Sequence, residues 1–120
     1  MYTVSVESRF SSAHNLRGYK GKCEDLHGHN WRVRMSVLSQ GLDELGMVRD
    51  FTVLKKILNG VIEGLDHKYL NDLEPFKSEN PTSENIARYI FEETCRQKPD
   101  LGVKEVTVWE TETSSASYFL

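Results

Sequence analysis

The stretch "NWRVRMSVLS" (30–39), followed after a turn by "DFTVLKKILNGVIEGL" (50–65), changes hydrophobic period along its length. In the first part Trp31, Val33, Met35 and Val37 alternate with polar residues, the pattern of a strand with one buried face. From Asp50 the period lengthens. Phe51, Leu54, Leu58, Val61, Ile62 and Leu65 recur mostly every three or four residues, which predicts an amphipathic helix. Asp50 suits the N-cap, and Gly64 lies near the helix end.

Working outward, Tyr2–Phe10 reads as another strand, with Tyr2, Val4 and Val6 alternating against Thr3, Ser5 and Glu7. Residues 11–29 are rich in Ser, Gly, Lys and His and read as a loop, as does "LDHKYLNDLEPFKSENP" (65–81). A second helix is predicted from about Thr82 to Arg96, with Ile86, Ile90 and Phe91 as its apolar stripe and Pro81 on its approach. "KEVTVWETE" (104–112) and "SSASYFL" (114–120) complete the chain as two strands, Val106 and Val108 facing one way, Thr107 and Trp109 the other. Strand, loop, strand, helix, helix, strand, strand implies an α+β antiparallel sheet with both helices on one face. Its two edges invite pairing with another subunit.

A chain of 120 residues predicts one domain, residues 1–120. It has no apolar run long enough to span a bilayer, and "MYTVSVESRF" (1–10) lacks the apolar core of a signal peptide. Cys23 and Cys95 are too few for a disulfide framework. A cytoplasmic protein with two thiols is the expectation. The formal net charge of −3 argues against a nucleic-acid partner. It leaves room for an anionic small molecule, with Arg17, Lys20 and Lys22 either attracting phosphate or simply solvated.

Chemistry concentrates in "KCEDLHGHNW" (22–31). His27 and His29, two apart at the start of a strand, point to one face and can grip one metal ion. An H-x-H pair alone is a weak signal. His14, at the end of "FSSAH" (10–14), strengthens it, because pairing of the first two strands returns the chain to that point. Three imidazoles with an open fourth position form a catalytic zinc arrangement. Cys23 either joins them as a fourth ligand or stands beside the metal. His67 follows Asp66 directly. A bent loop would let the carboxylate hold one ring nitrogen and tune the other. On local sequence alone His67 reads instead as a helix C-terminal imidazole facing the dipole. "NPTSEN" (80–85) sets Thr82, Ser83 and Glu84 at a helix N-terminus, where ordinary capping accounts for them. Glu110 follows an apolar strand, where a buried carboxylate suits an N–C–N edge with two N–H donors.

The motifs "FSSAH" (10–14), "CEDLHGHN" (23–30), "GMVRDF" (46–51), "LDHKYLND" (65–72), "NPTSEN" (80–85) and "VWETE" (108–112) run in an order that resembles the 6-pyruvoyl-tetrahydropterin synthase and 6-carboxy-tetrahydropterin synthase family. The resemblance covers nearly the whole chain. It implies the tunnelling fold, in which three four-stranded sheets join into a β-barrel and two trimers stack into a homohexamer with sites at subunit interfaces. It also implies Zn2+ on His14, His27 and His29, with Cys23 as the catalytic thiol. Asp66 and His67 match a dyad that works with that thiol across an interface. Glu110 matches the carboxylate that anchors the pterin, and Thr82, Ser83 and Glu84 match residues lining its pocket.

The substrate so implied is 7,8-dihydroneopterin triphosphate. The short segment before H-G-H is similar to that of members making 6-carboxy-5,6,7,8-tetrahydropterin, with loss of acetaldehyde and triphosphate, for queuosine and other 7-deazapurines. Alternatives within the resemblance are the 6-pyruvoyl product and a cleavage to 6-hydroxymethyl-dihydropterin for folate synthesis. In members with the latter activity a glutamate near the position of Glu24 replaces the cysteine. Here Glu24 is either that residue or a solvated loop carboxylate. A non-catalytic pterin-binding homologue is the reading from another class.

Overall fold

In the computed structural model, residues 1–21 and 24–120 are described. Four strands, β1 (Tyr2–His14), β2 (His27–Ser39), β3 (Val103–Thr111) and β4 (Ser114–Phe119), form one antiparallel sheet in sequential order. Between β2 and β3 run the helices α1 (Phe51–Glu63) and α2 (Ser83–Gln97). They pack on one face of the sheet, α1 against β1 and α2 against β3 and β4. Two short 3-10 turns, Leu70–Asp72 and Glu74–Phe76, lie between the helices.

The alternation in β2 is read out as burial. Trp31, Val33, Met35 and Val37 are sealed beneath the helices, together with Val6 and Phe10 of β1 and Val106 and Val108 of β3. From α1 the core receives Leu54, Leu58, Val61 and Ile62, and from α2 Ile86, Ala87, Ile90 and Phe91. The Asp50 carboxylate caps α1 by accepting from Thr52 N at 2.8 Å. Phe51 departs from the expected stripe. It lies in the first turn of α1 and is 54% exposed.

The larger departure is at the first hairpin. β1 continues four residues past Phe10, and β2 begins three residues before Asn30, so much of the expected loop is strand. The inward positions of this extension are Ser12, His14, His27 and His29, which a hydrophobic alternation rule reads as loop. Their burial is made possible by specific partners. The Ser12 hydroxyl donates to Leu65 O and accepts from Lys68 N. Segment 65–69 also docks along the β1 edge, with His67 N donating to Ser11 O at 2.7 Å and Ala13 N to Lys68 O at 3.0 Å.

Gly102, just before β3, has φ +80°, and a Cβ there would come within 2.8 Å of Leu38 O. Its carbonyl accepts from Leu38 N at 2.9 Å, so the backbones are held close where the chain re-enters the sheet. Gly102→Ala combines an unfavourable left-handed residue with a backbone clash. It should lower unfolding stability by about 2 kcal/mol or more. Urea denaturation checks this, and an unchanged midpoint would contradict it.

Candidate metal centre and adjoining cleft

Within the β1–β2 pair His14 lies directly opposite His27, and Ser12 opposite His29. All three imidazoles therefore project from the helix-bearing face, at the loop end of the hairpin. Ring centroids are 4.6 Å apart for His14 and His27, 5.2 Å for His14 and His29, and 4.8 Å for His27 and His29. Trp31 forms the floor, edge-on to His14 at 4.9 Å and to His29 at 5.3 Å, with its indole N–H on Ser12 O.

Tautomers follow from the backbone. His14 Nδ1 lies 2.8 Å from Pro81 O, and His27 Nδ1 lies 2.8 Å from Asp25 O. A carbonyl only accepts, so each Nδ1 carries the proton and each Nε2 presents a lone pair. Those two Nε2 atoms are 3.1 Å apart. Facing lone pairs repel unless a cation, a proton or a metal ion, lies between them. His29 Nε2 is buried and has no hydrogen-bond partner among the described residues. The three ligand atoms lie within 4.8 Å of one another, so the cluster is able to hold a metal ion. Burial holds the His29 imidazole below its ordinary pKa and neighbouring His14 and His27 add to this, against the pull of Glu110. Neutral imidazole is the form that ligates.

Glu110 reaches the same cluster, its carboxylate 3.6 Å from His14 Nε2 and 3.7 Å from His29 Nε2. Strand alternation and the sheet register explain how. Glu110 shares the helix-bearing face with the buried Val106 and Val108, and the pairing of Arg32 with Trp109 sets this end of β3 beside the start of β2. Trp109 pairs with Ser115 and Thr111 with Ser114, so Glu110 is also the extra residue of a bulge in the β3–β4 ladder. The same carboxylate lines a cleft of about 340 Å³ with Thr82, Ser83, Glu84, Leu16 and Ser114–Ala116. Thr82 also caps α2, its hydroxyl accepting from Asn85 N at 3.1 Å.

Glu24 is not a free loop carboxylate. Its Oε1 accepts from Leu16 N at 3.2 Å and lies 3.8 Å from His27 Nδ1. Cys23 and Lys22 lie outside the described residues. Arg17 is committed elsewhere, its guanidinium donating to the carbonyls of Asn71, Phe76 and Glu79.

Asp66 and His67 form the expected pair, Oδ2 to Nδ1 at 3.0 Å. Adjacent residues achieve this because His67 has φ +55°, a left-handed conformation that turns the ring back on its neighbour. α1 ends at Glu63, so His67 does not sit on the helix dipole. The Ser11 N–H, donated to Asp66 Oδ1 at 2.9 Å, holds that carboxylate below its ordinary pKa, and His67 pushes the same way. The pair lies on the β1 edge, in a shallow cleft with Arg9, Phe10, Ser11 and Asn30.

Sequence reasoning missed the carbonyls of Pro81 and Asp25, because backbone acceptors carry no residue signature. It also missed Ser114–Ala116 as cleft wall. The run of small residues after the β3–β4 turn was the available signal.

A sequential four-stranded antiparallel sheet with both helices on one face, carrying three histidines at the end of its first hairpin, defines the tunnelling-fold class. The chain belongs to the 6-pyruvoyl tetrahydropterin synthase family, whose model matches residues 3–119. It is 44% identical to the 6-carboxy-5,6,7,8-tetrahydropterin synthase of Synechocystis sp., over 99% of this chain and 94% of that protein. It is 37% identical to the dihydroneopterin monophosphate aldolase of Pyrococcus furiosus, over 89% and 88% respectively. The structure of Caenorhabditis elegans 6-pyruvoyl tetrahydropterin synthase matches with a TM-score of 0.85 at 31% identity, covering 98% of this chain and 94% of that one.

The Asp66 pair gives a pH prediction. A carboxyl whose folded pKa is depressed contributes stability that is full above the unfolded value, near 4, and is lost as pH falls through the folded value. Asp66→Asn should therefore destabilise at neutral pH, and the gap to wild type should close below pH ~4. Denaturant midpoints of both chains across pH measure it, and a gap independent of pH would count against the pairing.

Proposed function

We propose that this chain is a zinc-dependent 6-carboxy-5,6,7,8-tetrahydropterin synthase. It would convert 7,8-dihydroneopterin triphosphate to 6-carboxy-tetrahydropterin with release of acetaldehyde and triphosphate. The observation that carries this reading is Glu110. One carboxylate stands against two of the three histidines and also lines the cleft of Thr82, Ser83 and Glu84. A pterin held there by its pyrimidine edge would present its side chain to the cluster. The 44% identity to a synthase of this name supports the choice of reaction.

His14, His27 and His29 would hold the Zn2+, a borderline-soft ion suited to neutral nitrogen donors. When bound, it supplies Lewis-acid polarisation of the substrate's side-chain hydroxyls. Glu110 accepts two N–H groups from the pyrimidine edge, and the walls at Thr82, Ser83 and Glu84 orient the ring. Cys23, as thiolate, removes a carbon-bound side-chain proton. His67 moves the other proton at Nε2, its Nδ1–H fixed by Asp66. The His67 side chain is 82% exposed. An outward-facing ring on the β1 edge suits service to the site of an adjacent subunit, in a homohexamer built by joining β1 and β4 edges into barrels. A cytoplasmic enzyme is part of this proposal, in keeping with a chain of only two cysteines. No helix among the described residues is long and apolar enough to cross a membrane.

A second reading rests on Glu24, which stands 3.8 Å from His27 Nδ1, and on the related Pyrococcus furiosus aldolase. In that reading the side chain is cut to give 6-hydroxymethyl-dihydropterin. Mass spectrometry after incubation with 7,8-dihydroneopterin triphosphate separates the two. Wild type and Glu24→Ala should both give the carboxy product, while Cys23→Ala should lose it yet retain zinc. A hydroxymethyl product that disappears in Glu24→Ala would transfer the assignment to the second reading. Loss of zinc with the thiol would make Cys23 a ligand.

A further inference from the structure

We infer that Asn80 is a positioning residue for the metal centre, acting through the Pro81 carbonyl on the ring of His14. The inference rests on the reading that the three histidines hold a metal ion.

His14 presents Nε2 to the cluster because Nδ1 is bonded to Pro81 O. That carbonyl belongs to neither a helix nor a strand. Residues 77–82 precede α2 without regular structure, and Lys77, Ser78 and Glu79 are exposed. The position of the acceptor therefore depends on what fixes this segment. Asn80 is the hub. Its Oδ1 accepts from Arg17 N at 2.8 Å, and its Nδ2 donates to Arg17 O at 3.0 Å. The side-chain amide thus pairs with the backbone of Arg17 as a neighbouring strand would, three residues beyond His14. The Asn80 carbonyl in turn accepts from Thr82 N at 2.9 Å and from Asn85 Nδ2 at 2.8 Å. One residue joins the chain leaving β1 to the first turn of α2.

Two consequences follow from the geometry. The Asn80 amide sets the register between His14 and Pro81, and with it the tautomer and aim of Nε2. The same turn carries Thr82, Ser83 and Glu84 into the cleft beside Glu110. An amide is required for the double pairing with one residue's N–H and C=O, because only Asn or Gln offers a donor and an acceptor in one plane. Arg17 and Asn71 brace the arrangement from below. The Arg17 guanidinium holds Phe76 O at 2.7 Å, and Asn71 pairs with the backbone of Asn15 in the same double fashion.

The test is metal binding in the full chain. Co2+ affinity is measured by chelator competition, coordination by visible absorption, and the His14 ring tautomer in the metal-free chain by 15N NMR. Asn80→Ala should weaken Co2+ binding by ~10-fold or more, the usual range for loss of a group that orients a ligand. It should also shift the absorption bands and populate the Nε2–H tautomer of His14, while far-UV circular dichroism stays that of wild type. Wild-type affinity and tautomer in Asn80→Ala would overturn the inference. If Asn80→Ala does not fold, Asn80→Asp, which keeps the acceptor for Arg17 N but loses the donor, is measured the same way with the same two outcomes. A wild-type chain that takes up no Co2+ would overturn the metal reading and this inference with it, whereas binding that ignores position 80 would overturn this inference alone.

Discussion

The register of the first hairpin is the constraint on which the site depends. With His14 opposite His27 and Ser12 opposite His29, three imidazoles share the helix-bearing face. Side chains alternate along a strand, so a slip of one residue would send His27 and His29 to the other face, away from His14. It would also expose Trp31, Val33, Met35 and Val37, all essentially sealed from solvent. Burial of those four apolar side chains, each about 1.5–3 kcal/mol for the aliphatic ones, therefore enforces the position of the histidines. The core and the candidate metal centre are aligned by one pattern, with apolar residues at odd positions 31 to 37 and histidines at 27 and 29.

That shared pattern explains what was legible in the sequence. The strands and both helices follow from periods of two and about three and a half, and the Asp50 cap from its residue type. The extension of β1 and β2 to the histidines was legible only from the histidine spacing and not from hydrophobic period, which reads residues 11–29 as loop because the inward positions there are polar. Ser12 and His14 are tolerated inside only because Leu65 O and Pro81 O, distant in sequence, accept from them. Local periodicity carries no information about such partners. The Asp66–His67 contact was open to sequence reasoning as a bent loop, but the conformation that makes it was not. It depends on a positive φ at a histidine, which the sequence does not announce as a glycine would.

The candidate site residues themselves were legible as residue types, and their grouping was legible only in part. Spacing pointed to His27 and His29 as a pair. Glu110 appeared as one carboxylate after an apolar strand, with nothing in the local sequence to tie it to the cluster. The fold supplies that tie. Glu110 stands two and four residues after the buried Val108 and Val106, so alternation gives it the helix-bearing face, and the β2–β3 register, with Arg32 opposite Trp109, sets that end of β3 beside the start of β2 and its histidines. The Arg32–Trp109 pairing joins residues more than seventy positions apart, which local sequence does not report.

The location of Glu110 also bears on how substrate and metal would be coupled. A carboxylate this close to two of the three imidazoles favours a cation at the cluster, since opposite charges a few ångströms apart stabilise one another. In the proposed reading the same charge would also accept two N–H bonds from an incoming pterin. The two halves of the proposed site would share this one carboxylate, so occupancy of either half would shift the electrostatics of the other.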